Sequence, residues 1–88
     1  MKVIFHNDGG HGWYAVKRKL LEKLGVLEKI SGFSYQSKTG KTVYLEEDCD
    51  AGLFFNDTDR NPKDMEIVNS YQEVSPIRSY DYFKLEVV

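Results

Sequence analysis

Two histidines, His6 and His11, lie on either side of a glycine turn, and Trp13 follows shortly after them. Imidazole titrates near neutral pH and is also a common metal ligand. Two imidazoles beside flexible backbone and a large aromatic ring can therefore hold a ligand, bind a metal or transfer a proton. The same run also suits an ordinary hairpin loop. No complete catalytic motif accompanies it, so the sequence ranks sites without indicating a reaction.

A second group of candidate residues is an acidic run that comprises Glu46, Glu47, Asp48 and Asp50. Zinc, manganese and iron accept imidazole and carboxylate together, so His6 and His11 could join this run in a mixed nitrogen and oxygen site. The chain has no H-E-x-x-H or similar spacing that would place such ligands on one face. We therefore assign no metal and no cofactor from the sequence.

Cys49 lies inside the acidic run. Neighbouring carboxylates raise the pKa of a thiol and disfavour the reactive thiolate. We expect Cys49 to be a small, half-buried side chain at the start of a helix.

Aromatic rings and one arginine form the third group of candidates. Tyrosine, tryptophan and arginine are enriched where proteins bind partners or stack on nucleotide bases. The members are Trp13, Tyr35, Tyr44, Arg78, Tyr80 and Tyr82. We expect two or three of the rings to be exposed, because tyrosine is commonly intermediate in burial.

Two known motifs match the chain only in part. Residues 10–15 fit the G-x-G-x-x-A dinucleotide fingerprint, but that fold needs a parallel crossover, and the next elements indicate an antiparallel hairpin. Asp57, Asp59 and Asn61 fit the first oxygen positions of a calcium-binding EF-hand loop, whereas Pro62 replaces its glycine and Val68 its glutamate. We interpret residues 56–62 as a loop.

Composition indicates one domain and a narrow range of partners. A chain of 88 residues with 41% hydrophobic content supports a single core, as a monomer or small homo-oligomer. The net charge of −2 makes nucleic acid an improbable partner. One cysteine and no long apolar run predict a cytoplasmic protein that is neither exported nor inserted in a membrane.

The first elements are predicted as strand, turn, strand and helix. Residues 2–6 form the first strand, and Asp8-Gly9-Gly10 is a strong turn signal. A helix that began at Trp13 would place Lys17 on its apolar face, so we expect a second strand over residues 13–16. A helix then follows over residues 17–24, with Gly25 as the left-handed residue at its C-terminus. A helix from Trp13 would instead give a ferredoxin-like βαββαβ fold.

The remaining elements are read from alternation and turn residues. A short helical turn over 26–30 precedes a second hairpin of strands 33–37 and 42–46, in which Val43 and Leu45 face the core and Tyr44 and Glu46 face away. Asp48 or Asp50 caps a short helix through residues 53–55. Strands follow over 65–74 and over 83–87, where Phe83, Leu85 and Val87 alternate.

These elements predict an α+β fold: one mainly antiparallel sheet of two hairpins plus C-terminal strands, covered by one or two short helices. The first hairpin has two plausible registers. If His6 pairs with His11, both histidines share a face with Trp13, opposite a core side that includes Val3 and Val16. If Asn7 pairs with His11, the two histidines lie on opposite faces.

Five segments together resemble a family of small uncharacterised proteins of bacteriophages, prophages and plasmids. They are residues 11–13, 29–31, 34–35, 43–50 and 76–80, and the run Val43-Tyr44-Leu45-Glu46-Glu47-Asp48-Cys49-Asp50 is the most distinctive. The resemblance implies a mobile-element accessory protein that acts inside a bacterial host, and it implies no catalytic residues.

Three functions are consistent with these residues. The first is non-catalytic binding of a host protein, as in counter-defence, through a surface of Trp13, Tyr44, Glu46, Glu47, Asp50 and Arg78. The second is binding of a nucleotide-like molecule through His6, His11 and Arg78 with stacking aromatics. The third is a metal-dependent enzyme built on His6 and His11.

Overall fold

One mixed sheet and two short helices make up the described part of the chain, which comprises residues 2–56, 66–73 and 76–85 of a computed structural model. The strands are β1 (Lys2–Asn7), β2 (Gly12–Lys17), β3 (Tyr35–Gln36), β4 (Thr42–Glu46), β5 (Glu66–Tyr71) and β6 (Asp81–Tyr82). The helices are α1 (Arg18–Lys23) and α2 (Ala51–Asn56), with 3-10 turns at Leu27–Lys29 and Pro76–Ser79.

The sheet has the strand order β5-β1-β2-β4-β3-β6. Both hairpins are antiparallel, β6 runs antiparallel to β3, and β5 runs parallel to β1. The predicted α+β architecture, two hairpins with C-terminal strands in one sheet and short helices over it, is confirmed.

The register of the first hairpin differs from both predicted registers, because Asn7 pairs with Gly12 and His6 with Trp13. Asp8 sets this turn: its Oδ1 accepts hydrogen bonds from the backbone N–H groups of Gly10 and His11. Compared with pairing His6 to His11, the strands are shifted by two residues. A register shift of two residues leaves each side chain on the same face of the sheet, because side chains alternate with period two. His6 and Trp13 therefore share a face, as that register predicts.

The ferredoxin-like alternative is wrong, because β2 continues to Lys17 and α1 begins only at Arg18. Gly25 follows Leu24, the residue that caps the C-terminus of α1, and has φ of 75°. A left-handed glycine at this position is a common way to end a helix, and it confirms the predicted end.

The core lies between one face of the sheet and the helices. The sheet contributes buried valines and leucine at alternating positions, and the helical side contributes larger apolar side chains. The buried cluster consists of Val3, Val16, Leu21, Val26, Ile30, Val43, Leu45 and Phe54. The predicted inward positions of Val43 and Leu45 are confirmed, since both are fully buried.

Two predictions about the later elements are wrong. Asp50 precedes α2, but its carboxylate accepts hydrogen bonds from Ser31 and Ser34 rather than capping the helix. The last strand is Asp81–Tyr82, and residues 83–85 are irregular. Side chains explain the second difference, because the amide of Lys84 donates to Gln36 and its carbonyl accepts from Arg18.

The predicted loop residues Asp57, Asp59, Asn61 and Pro62 lie outside the described residues, as do Met65, Val74 and Val87 at the ends of predicted strands. Within the described part, the strand predicted over 65–74 is present as Glu66–Tyr71. No helix among the described residues is long and apolar enough to cross a membrane.

Candidate functional site

A cleft of about 350 Å³ opens beside the first turn, on the sheet face opposite the core. It receives side chains from the β1–β2 turn, β2, the segment before β3, β3, the end of β4, the turn before α2, and β6. Its lining residues are His11, Trp13, Phe33, Tyr35, Glu46, Asp48, Cys49 and Tyr82. None of these described lining residues is a lysine or an arginine.

Glu46 forms the floor of the cleft. Its side chain is 10% exposed, and its Oε2 accepts hydrogen bonds from the backbone N–H groups of Asp48 and Cys49, both at 2.8 Å. The other oxygen, Oε1, lies 3.7 Å from Nδ1 of His11. The backbone therefore fixes this carboxylate with one oxygen directed at the imidazole.

His11 and Asp48 complete a compact set of polar groups with Glu46. One ligand-type atom from each of the three residues lies within 4.8 Å of the other two. The His11 side chain is 52% exposed, and Asp48 is also exposed, so the set opens to the cleft. Imidazole and carboxylate oxygens in this arrangement can accept hydrogen bonds or ligate a cation.

Aromatic rings form the walls of the cleft. Trp13 is buried and meets Tyr35 edge-on at 6.0 Å between ring centroids. Tyr35 in turn stacks on Tyr82 at 5.1 Å. Tyr82 is 63% exposed, and Phe33 at the rim is 69% exposed. The cleft thus presents two solvent-facing rings above a buried carboxylate.

His6 does not join His11 in this cleft. It lines a neighbouring groove of about 500 Å³, in which its ring contacts Tyr44 edge-on at 5.8 Å. Desolvation by burial lowers the pKa of His6, so the neutral imidazole is favoured. Desolvation, followed by the neighbouring Tyr80, raises the pKa of Tyr44. The predicted histidine pair is therefore divided between two neighbouring grooves.

The acidic run is also divided. Glu46 and Asp48 line the cleft, whereas Glu47 is exposed and lies near Gly12 and Tyr14. Desolvation is the main cause of the raised pKa of Tyr14, and the charge of Glu47 is the second. Asp50 is 3% exposed and hydrogen-bonds Ser31 and Ser34. Its carboxylate is a structural group rather than part of an exposed surface.

Cys49 is exposed, not half-buried as predicted, because it lies in the turn that precedes α2. The predicted direction of its pKa is confirmed. The pKa of the thiol is raised mainly by desolvation. A hydrogen bond to Glu46 and the negative charges of Glu46, Asp50 and Asp48 raise it further. Arg78 lies in the second 3-10 turn, where the structure describes only its backbone.

Five lining residues of the cleft are not among the residues predicted to bind a ligand or partner: Phe33, Tyr35, Asp48, Cys49 and Tyr82. The sequence offers the two tyrosines as stacking rings and the other two polar residues as parts of the acidic run, but it does not bring them together. Phe33 follows Gly32 at the start of a predicted strand, and its sequence context gives no sign that its ring is exposed. The positions of Phe33 and Asp48 depend on how turns orient side chains, which alternation does not predict.

No protein-family model, curated protein or solved structure matches the chain. The functional argument therefore rests on the geometry of the cleft.

Proposed function

We propose that this protein is a non-catalytic binder of a flat, nitrogen-bearing ring, such as a nucleobase, in the cleft beside His11. The observation that carries the proposal is the pair of exposed rings, Phe33 and Tyr82, at the mouth of a cleft with a buried carboxylate in its floor. Phenylalanine is usually buried, so a Phe33 ring that is 69% exposed is unusual. Exposed rings beside a cavity are suited to stacking on a ligand.

The polar groups of the cleft favour a ligand that donates hydrogen bonds. Glu46 and Asp48 offer carboxylate oxygens, which accept from the exocyclic amino groups of guanine, adenine and cytosine and from the ring N–H of guanine. The volume of about 350 Å³ is at the lower end of the range for small-molecule pockets, which suits a nucleoside better than a larger cofactor. This supports the nucleotide-like ligand, which is the second function consistent with the sequence, with His11 rather than His6 as its polar partner.

The test is a thermal-shift screen followed by calorimetry with guanosine, adenosine, cytidine and uridine in buffer that contains EDTA. A ligand that binds only the folded state raises the melting temperature. Stacking is worth about 1–3 kcal/mol per base, so Tyr82→Ala and Phe33→Ala are each expected to weaken binding roughly 5- to 150-fold. Tyr71→Ala is the matched control, because Tyr71 is equally exposed but lies on β5 at the far edge of the sheet. The absence of any shift with all four nucleosides would reject the proposal.

Binding of a host protein is the second candidate. The surface predicted for it is not continuous, because Trp13, Glu46 and Asp50 are buried. The edge strand β5 offers a different surface: Ile67 is 46% exposed and Tyr71 62% exposed. An apolar edge strand can pair with a strand of another protein.

The likeness to phage and plasmid proteins motivates a search for such a partner in a bacterial host. Retention of one identified protein by the wild type, and its loss with Ile67→Lys but not with Phe33→Ala, would support this second function. Equal retention by both variants would reject the β5 edge as the binding surface.

A further inference from the structure

The group formed by His11, Glu46 and Asp48 has the dimensions of a metal site. Two ligands that are each about 2.1 Å from one ion lie roughly 3.0–3.4 Å apart, by the geometry of octahedral and tetrahedral sites. Nδ1 of His11 and Oε1 of Glu46 are 3.7 Å apart, and all three ligand atoms lie within 4.8 Å of one another. The set is somewhat wider than an occupied site, and two of its three side chains, His11 and Asp48, are exposed.

The best-ordered member of the group is the buried one. Glu46 has Oε2 held by two backbone N–H groups, which leaves Oε1 directed at His11. Hydrogen bonds that orient a ligand from behind are a regular feature of metal sites. The backbone of His11 is fixed in turn by the carboxylate of Asp8, which accepts its N–H at 3.0 Å.

The charges of the group also favour a cation. Glu46 is nine-tenths buried, and the carboxylate of Asp48 lies close to it. Two carboxylates at this distance repel each other. Among the described residues that line the cleft, no lysine or arginine offsets their charge. A divalent ion supplies two positive charges.

We propose that His11, Glu46 and Asp48 form a binding site for a divalent transition-metal ion of the zinc or manganese class, with its remaining coordination positions open to the cleft. One imidazole with two carboxylates suits these ions, whereas magnesium and calcium prefer oxygen ligands alone. The ion would take the carboxylate oxygens that the proposed function assigns to a base, so the metal-bound cleft would favour an anionic group such as a phosphate, which the carboxylates alone would repel.

The test uses the metal alone, without nucleoside. Protein stripped with EDTA and transferred to chelator-free buffer is titrated calorimetrically with Zn²⁺ and Mn²⁺, and with Mg²⁺ for comparison. We expect one Zn²⁺ or Mn²⁺ per chain and much weaker binding of Mg²⁺. His11→Ala and Asp48→Asn are each expected to weaken binding at least about tenfold, as loss of a ligand or its support does. Both side chains are exposed, so these variants retain the fold.

Two matched variants test the assignment of the ligands. His6→Ala removes the histidine of the other groove, and Glu47→Gln neutralises the adjacent carboxylate. Unchanged affinity in both supports the site. Absence of saturable Zn²⁺ and Mn²⁺ binding, or an equal loss in either of these two variants, overturns it. Because the nucleoside experiment contains EDTA and this one contains no nucleoside, either proposal can fail without the other.

Discussion

Asp50 hydrogen-bonds both serines of the segment that leads into β3. Its Oδ2 accepts from the hydroxyls of Ser31 and Ser34, and the backbone N–H of Ser31 also donates to the carboxylate. Ser34 is fully buried, and its hydroxyl oxygen accepts from the backbone N–H of Glu46. One buried carboxylate thus connects α2, the approach to β3 and the end of β4.

Removal of this carboxylate is expected to destabilise the fold. Hydrogen bonds to a charged group contribute about 1.5–3 kcal/mol, and Asp50→Ala leaves the hydroxyl of Ser34 without its acceptor. We expect the free energy of unfolding to fall by about 3 kcal/mol in urea titrations. Glu47→Ala removes an exposed charge from the same run and is expected to cost less than about 0.5 kcal/mol. Equal losses in the two variants would contradict a structural role of Asp50.

The contrast between Asp50 and Glu46 shows which side-chain environments can be predicted from the sequence. Alternation along residues 42–46 correctly places Tyr44 and Glu46 on the face away from the core, because a strand has period two. Beyond Glu46 the chain turns, and this period no longer applies. The burial of Asp50 depends on serines that precede it by 16 and 19 positions, and an acidic run gives no local sign of such partners.

At the scale of elements, Arg18 connects three segments. Its Nε donates to the carbonyl of Gly40, one terminal nitrogen donates to Gln36 and the carbonyl of Lys84, and the other donates to the carbonyl of Leu85. The first residue of α1 therefore holds the β3–β4 turn and the segment after β6 together.

Substitution of Arg18 is expected to release the segment after β6. We expect Arg18→Ala to reduce the free energy of unfolding by about 2 kcal/mol, since several hydrogen bonds from one charged group are lost. Arg18→Lys should recover little, because an ammonium cannot reproduce the planar fork of donors. Hydrogen exchange is the direct measurement: the amides of Phe83 and Lys84 should exchange faster in both variants.

Lys19→Ala, which changes the neighbouring exposed cation, is the control for this substitution. Wild-type exchange in Arg18→Lys would indicate that charge alone, rather than the shape of the guanidinium, holds the segment.

Elements joined by short turns were the ones that could be predicted. The β3–β4 hairpin follows from alternation and from Gly40, which has φ of 73°. The register of the β1–β2 hairpin could not be predicted, because it depends on the hydrogen bonds of the Asp8 side chain within the turn. The end of the sheet was also misplaced, because side chains of Gln36 and Arg18 occupy backbone groups of residues 84 and 85.

At the scale of the whole molecule, the parallel pairing of β1 with β5 joins residues far apart in the chain, such as Lys2 and Glu66. Composition and turn spacing predict the α+β class, but no local pattern specifies which strand lies beside β1. His6 is partly buried on the face away from the core, in a groove that side chains of β1, β2 and β4 line together. Its environment is therefore a property of the assembled sheet.

The environment of His6 makes the stability of the molecule dependent on pH. Burial lowers its pKa below the usual 6.5, so the unfolded chain takes up a proton at a higher pH than the folded chain does. Above about pH 7.5 the imidazole is neutral in both states and contributes no pH dependence. As the pH falls through about 6.5, protonation stabilises the unfolded chain, and the free energy of unfolding decreases until the folded-state pKa is reached.

We expect urea titrations between about pH 7.5 and 5.5 to show this decrease in the wild type and a smaller one in His6→Gln. His11→Gln retains His6 and is expected to keep the decrease that His6 causes. An identical pH dependence in the wild type and His6→Gln would show that the folded sheet does not favour the neutral imidazole at this position.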